Sequence, residues 1–264
     1  MRSSVALALA LLAALDSPLA AQATRDRPTL IFTVSGAYLD GIRLWSVPDQ
    51  PLEDNSIVTL VDHLSLTRDI KTTFGAGFSG TYYSGANLGL TAEAFLLGLG
   101  YSDTCTIAEP VQSSLNAERC QSINTQDRSA AAVTLTGGFV YRIGADEFIS
   151  PFVRGTGGIL INNQSPLLLT GQTSNGAELI IYDDDNLGTR ITPSFQLGAG
   201  ATIAAGRGYQ IRWEVRDNII GIESVTGATE TRGQVPPHEM TYRHILSLIL
   251  GFDVILEKRH GRRY

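Results

Sequence analysis

Nine charged residues stand in stretches that otherwise read as apolar: Lys71, Glu93, Arg142, Arg154, Arg212, Glu214, Arg216, Arg243 and Asp253. Arg212, Glu214 and Arg216 alternate with Ile211, Trp213 and Val215. In an extended chain that spacing puts the charges on one face and the apolar side chains on the other. Charges gathered on a protected face must pair and hydrogen-bond. Six bases against three acids in a narrow lumen point to a salt-bridged plug or to a gated path for small solutes. Other constellations are poorer. His63-Leu64-Ser65 has the residue types of a base and its nucleophile, with the adjacent Asp62 as the carboxylate at hand. His244 and Ser247 fall on opposite faces of a strand. Asp183-Asp-Asp-Asn186 offers hard oxygens without the spaced acidic pattern of a calcium loop. There is no phosphate loop, HExxH or Cys/His dyad. The expectation is a protein that is not an enzyme, with no cofactor and no metal site.

The elements that must position these charges follow from composition and rhythm. The chain has 264 residues, 43% hydrophobic and 17% charged, with a formal net charge of −6, so no overall basic field points to nucleic acid. Residues 1–23 read as a cleaved secretory signal: Arg2 precedes an apolar run over 5–15, and Ala21-Gln22-Ala23 offers a small-x-small cleavage site. That run is about half the ~20 residues a spanning helix needs. No later stretch is long and apolar enough for such a helix. Cys105 and Cys120 are the only cysteines. In an exported chain the expectation is a disulfide, worth ~3 kcal/mol for a loop of this size.

Residues 24–264 read as one domain of eight strands: 30–39, 70–82, 88–100, 130–143, 148–161, 189–204, 209–222 and 240–256. Connections alternate between tight Gly-containing turns at 84–87, 144–147 and 205–208 and long stretches at 40–69, 101–129, 162–188 and 223–239. Period-two alternation recurs, as in Phe74, Ala76, Phe78 and Tyr82 against Lys71, Thr73, Ser79 and Thr81. Short turns at one end, long loops at the other and apolar-out alternation predict an all-β, closed, antiparallel up-and-down transmembrane β-barrel. Ten strands become available if 56–66 and part of the first loop pair. Aromatics near strand ends, among them Tyr82, Tyr141, Tyr209 and Tyr242, suit an interfacial girdle. Each long loop carries more acids than bases. Segments 167–170 and 178–182, around Asn175-Gly176, suit a hairpin above the membrane.

Here the chain resembles the small outer-membrane β-barrels of the OmpA/OmpW type, the porin-family β-barrel domain. The resemblance is carried by Ser150-Pro-Phe-Val-Arg-Gly-Thr-Gly-Gly158, Phe195-Gln-Leu-Gly-Ala-Gly200 and Arg212-Trp-Glu-Val-Arg-Asp217. It departs at the end, where Glu257-Lys-Arg-His-Gly-Arg-Arg-Tyr264 follows the last strand. The resemblance implies the outer membrane of a diderm bacterium, contact with its lipid and lipopolysaccharide, insertion by the barrel-assembly machinery, and a monomer. It implies a structural or surface-interaction role through the long loops. A narrow porin-like channel is the alternative, and a lipid-A-modifying enzyme the lesser one.

Overall fold

A computed structural model describes residues 28–54, 60–145, 147–186, 188–206 and 208–256. The stretch expected to be a signal segment and the basic tail lie outside the described residues. Eight antiparallel strands close a barrel: β1 (Thr29–Leu39), β4 (Thr73–Tyr83), β5 (Leu88–Gly98), β8 (Ala131–Arg142), β9 (Ile149–Asn162), β12 (Arg190–Gly206), β13 (Tyr209–Val225) and β14 (His238–Leu256), with β14 returning to β1. Closure leaves no unpaired sheet edge, which a wall in lipid requires.

The ladders also set the stagger. From Phe32 the pairing runs through Gly80, Ala92, Gly137, Gly157, Phe195 and Ile219 to His244, whereas Phe32 itself faces Val254 across β14. The circuit therefore arrives ten residues from its start, and the strands tilt by roughly 35–45°. Gly144 and Gly208 sit in the tight turns with φ of 65° and 84°, a backbone region open to glycine at little steric cost.

Period-two alternation becomes wall and filling. Leu30, Phe32, Val34 and Tyr38 on β1, Leu88, Leu90 and Leu96 on β5, and Leu246, Leu248, Leu250 and Phe252 on β14 are all exposed on the outside. An apolar surface of this extent is suited to hydrocarbon. Among the described residues no helix is long and apolar enough to cross a membrane.

The two loops expected at 40–69 and 101–129 are folded. β2 (Ile42–Glu53), β3 (Val61–Ile70), β6 (Tyr101–Ile107) and β7 (Asp127–Arg128) form a sheet in the order β2-β3-β6-β7. Each continues the chain of a barrel strand, so the wall formed by β1, β4, β5 and β8 rises into a head. Pro48, Pro51 and two register shifts in β2 break the period-two signal, as bulges and prolines do. Helix α1 (Ser114–Thr125) has Ser113 at its N-cap, accepting from the Asn116 N–H, and the Cys105–Cys120 disulfide ties it to β6. The hairpin β10 (Leu169–Gln172) and β11 (Glu178–Tyr182) packs against the same helix. One apolar core, from Leu44 and Leu66 in the head to Ile245 and Ile249 in β14, joins head to barrel.

Replacing both Cys105 and Cys120 by Ser removes the clip. Amide exchange over 101–125 should then accelerate by the equivalent of ~3 kcal/mol, with β12–β14 unchanged. Uniform acceleration across the barrel would contradict a clip whose effect is confined to the head.

Candidate functional site: a filled lumen beneath a folded head

The lumen is layered. At the short-turn end Ile31, Tyr83, Val140 and Phe152 form a buried apolar floor, with the Arg142 guanidinium 3.9 Å from the Tyr83 ring centre. The void beside this floor is only about 10 Å³, barely room for one water. Next come the charges. Arg212 pairs with Asp253 at 3.0 Å, and the Thr33 hydroxyl donates to the same carboxylate at 2.7 Å. Above them Arg216 reaches Glu93 at 2.6 Å and Glu214 at 2.8 Å. Arg154 reaches Glu93 at 3.0 Å and Glu214 at 3.6 Å. All six of these side chains are at most 3% exposed. An apolar layer of Leu39, Phe95, Leu97, Leu160, Ile220 and Ile245 then closes the upper end.

Period-two parity explains the gathering. Glu93, Arg154, Arg212, Glu214, Arg216 and Asp253 all point inward, three bases against three acids. The other three residues of the sequence reading stand apart. Lys71 lies at the junction of β3 and β4, its N–H bonded to the Gly100 carbonyl. Arg142 lies at the short-turn mouth, donating to the Ala86 carbonyl. Arg243 lies under the head, donating to the Leu44 carbonyl at 2.6 Å. The middle of the lumen is therefore charge-balanced. Buried pairs of this kind need their remaining polar atoms served; Gln196 accepts from Thr156 at 2.9 Å, whereas Arg154 Nε and Nη2 and Gln196 Nε2 are buried without a partner. Gln196 was legible by parity alone, since it alternates with Phe195 and Leu197 on β12.

A second buried ion centre holds the head, and sequence reasoning missed it. Arg68 is fully buried between Trp45 and Tyr101, 5.3 Å from each ring centre. It meets Asp103 with two N–H groups at 2.6 and 2.8 Å, and donates to the carbonyls of Pro166 and Leu168 at 2.9 Å each. Arg128 donates to Leu168 and Thr170. The Tyr182 hydroxyl donates to Gln50 at 2.9 Å, and Gln50 in turn binds the backbone of Thr229; burial pushes the Tyr182 phenol well above its ordinary pKa. Segments from all four long connections thus meet at one place. The usable signal was again parity: Arg68 shares a face with Leu64, Leu66 and Ile70.

The remaining candidates are dispersed. His63 Nδ1 lies 2.6 Å from Asp49, not Asp62, and the Ser65 hydroxyl donates to the Pro48 carbonyl. Asp62 faces inward and accepts from Gln112, Ser113 and Asn116 at the start of α1. His244 pairs with Asp217 at 2.7 Å on the outer wall, while Ser247 points inward toward the Arg216 carbonyl. Asp184 of the acidic run pairs with Arg190. Among the described residues no group of His, Cys, Asp and Glu could hold a metal ion.

The chain matches no protein-family model, and no curated protein matches it. Similar solved structures include the outer membrane protein OprG from Pseudomonas aeruginosa, at 11% identity over 89% of this chain and 98% of that one, TM-score 0.44. Neisserial surface protein A is 9% identical over 87% of this chain and 97% of that one, TM-score 0.39. The outer membrane protein AlkL is 12% identical over 94% and 99%, TM-score 0.39. The eight-strand closure is read from the ladders of this chain.

Glu214→Ala leaves Arg216 and Arg154 short of a carboxylate in a buried site, and should lower unfolding stability by about 3–5 kcal/mol. The urea midpoint of the refolded barrel measures it; an unchanged midpoint would count against the network. Arg68→Lys keeps the charge but loses the two-pronged bond to Asp103 and should loosen the head by about 2 kcal/mol. Faster proteolysis within 163–189, with the barrel core intact, is the expected readout.

Proposed function

We propose that this protein is exported to the outer membrane, spans it as a non-conducting barrel, and works through its folded head as a surface-interaction module. The observation that carries the reading is the filled lumen. Among the described residues a balanced set of buried ion pairs lies between two apolar layers, which argues against a continuous wet path for a solute. The membrane assignment is supported by the exposed apolar wall, the tight turns at one end and the long connections at the other. In this reading the barrel-assembly machinery inserts the chain, and the head meets lipopolysaccharide, neighbouring cells or host molecules. The head is suited to that work because Arg68, Gln50 and the disulfide hold its segments in one arrangement, and a preorganised surface loses less entropy on binding. A nucleophile–base pair for a hydrolase is not assembled at His63 or His244.

Single-channel recording of the refolded protein in a planar bilayer, under a salt gradient, tests the reading. Silence from protein shown to be folded and inserted is the expected result. Discrete steps with anion preference would instead make the lumen a channel, with Arg154, Arg212 and Arg216 as its selectivity residues.

A further inference from the structure

Above the barrel wall one strand edge is left bare. Strand β1 ends at Leu39, and its line along β14 closes with the Asp40 N–H donated to the Leu246 carbonyl at 2.9 Å. At Gly41 the chain leaves that line. A Cβ there would stand 2.7 Å from the Ile70 carbonyl oxygen, so glycine lets the chain pass close to the end of β3. β2 then leans inward over the lumen, where the Leu44 carbonyl accepts from Arg243 and Ser224. It pairs with β3 and not with β14. The part of β14 between His238 and Ile245 is therefore paired on one side only, with β13.

Parity tells which groups face the empty side, because successive residues of a strand send their N–H and C=O to opposite edges. The Leu246 carbonyl faces β1, whereas the Pro237 and Ile245 carbonyls face β13, accepting from the Thr226 N–H and the Asn218 side chain. Met240, Tyr242 and His244 thus turn their N–H and C=O groups to the bare edge. Among the described residues none of these groups is bonded to another backbone group. The side chains of Met240 and Tyr242 are 46% and 53% exposed. Hydrocarbon does not tolerate such an edge, so in the membrane reading it lies above the apolar wall, in water.

An edge of this kind is a template for one more strand. Position and charge narrow what fills it. Segments 1–27 and 257–264 join the barrel at the short-turn end, where Leu30 pairs with Leu256, across the membrane from this edge. A second copy in the same membrane, related by a two-fold along its normal, carries the same strand tilt. Two such β14 edges cross at about 70–90° and cannot run side by side. Exposed carboxylates bracket the edge, Asp40 at its lower end and Glu239 at its upper end.

We propose that the Met240–His244 edge of β14 takes up an extended basic segment of another polypeptide as an added strand. The segment is free of proline, its apolar side chains alternate beside Met240 and Tyr242, and a Lys or Arg at each end meets Asp40 and Glu239. This names a partner class for the surface role proposed above, and rests on the membrane reading, which sets the tilt and places the chain ends on the far side.

The test uses the full chain refolded in detergent micelles, with amide exchange followed residue by residue by NMR. In the free protein Thr241, Arg243 and Ile245 should be protected, and Tyr242 and His244 should exchange freely. The probe is the end-blocked peptide Lys-Val-Thr-Val-Thr-Val-Lys, which should slow exchange at Tyr242 and His244 about tenfold or more. N-methylation of its valines, whose N–H groups would face β14, should abolish the effect, and N-methylation of its threonines should not. Tyr242→Pro deletes one N–H of the bare edge and leaves the β13 ladder whole. Its folding is checked by heat-modifiable migration, and it should lose protection of His244, which Tyr242→Val keeps. Tyr242 and His244 already protected in dilute free protein would mean that the chain covers its own edge, and protection that grows with protein concentration would mean a second copy; either overturns the proposal. So does failure of the peptide to protect, or equal protection by the valine-methylated peptide, by one with Glu in place of both Lys, or in folded Tyr242→Pro. Peptide binding by a barrel that conducts in the planar bilayer overturns the sealed-lumen reading and leaves the edge standing, whereas a silent barrel that binds no peptide does the reverse.

Discussion

A wall with hydrocarbon on one side can leave no backbone group unpaired, and this single constraint orders the whole molecule. It forces closure, closure with eight strands and a stagger of ten forces tilt, and tilt leaves an interior only wide enough for side chains. Every inward position must then be filled. Large apolar residues fill the two ends, and the middle takes the charged residues that alternation sends inside. The ion pairs of Glu93, Arg154, Glu214 and Arg216 are thus a consequence of geometry: side chains with nowhere else to go, arranged so that each charge meets its opposite.

The head obeys a different rule. Above the apolar belt water can satisfy backbone groups, so strands may bulge, carry proline and end. Even so, β2, β3 and β6 keep the direction of the barrel strands they extend, and their inward faces carry the apolar core upward without a break. Arg68 stands in this core as Arg216 stands in the lumen, but with a different set of partners. It meets one carboxylate, two aromatic faces and two carbonyls, and so fastens a sheet to a loop that crosses from the far side of the barrel.

Much of this was legible because period two is a strong signal where one face meets lipid. The eight barrel strands, the tight turns at Gly144 and Gly208 and the inward parity of Glu93 and Arg212 all follow from it. The hairpin at 169–182 follows from Asn175-Gly176. The head sheet was not legible: in β2 the register shifts near Arg43 and Val47 move apolar residues off alternation, while β3 keeps its alternation but pairs with the distant β6, which parity does not reveal. Helix α1 was hidden for a related reason: its sequence is polar almost all round, and a cap and a disulfide hold it where an apolar stripe would elsewhere. The balance of the lumen depended on stagger. Alternation gives the face but not the height along the barrel, so it counted Lys71, Arg142 and Arg243 with the interior, whereas they stand at a junction, a mouth and the underside of the head.

The contacts beneath the head join the two ends of the chain. The Leu44 carbonyl, near the start, accepts from Ser224 and from Arg243, near the finish, and Leu44 shares a core with Ile245 and Ile249. These partners are neighbours only once β14 has met β1. The finished head thus includes contacts that only the shut cylinder provides, and its shape is a seal of completeness. An intact head and a closed barrel are, in this fold, one and the same condition.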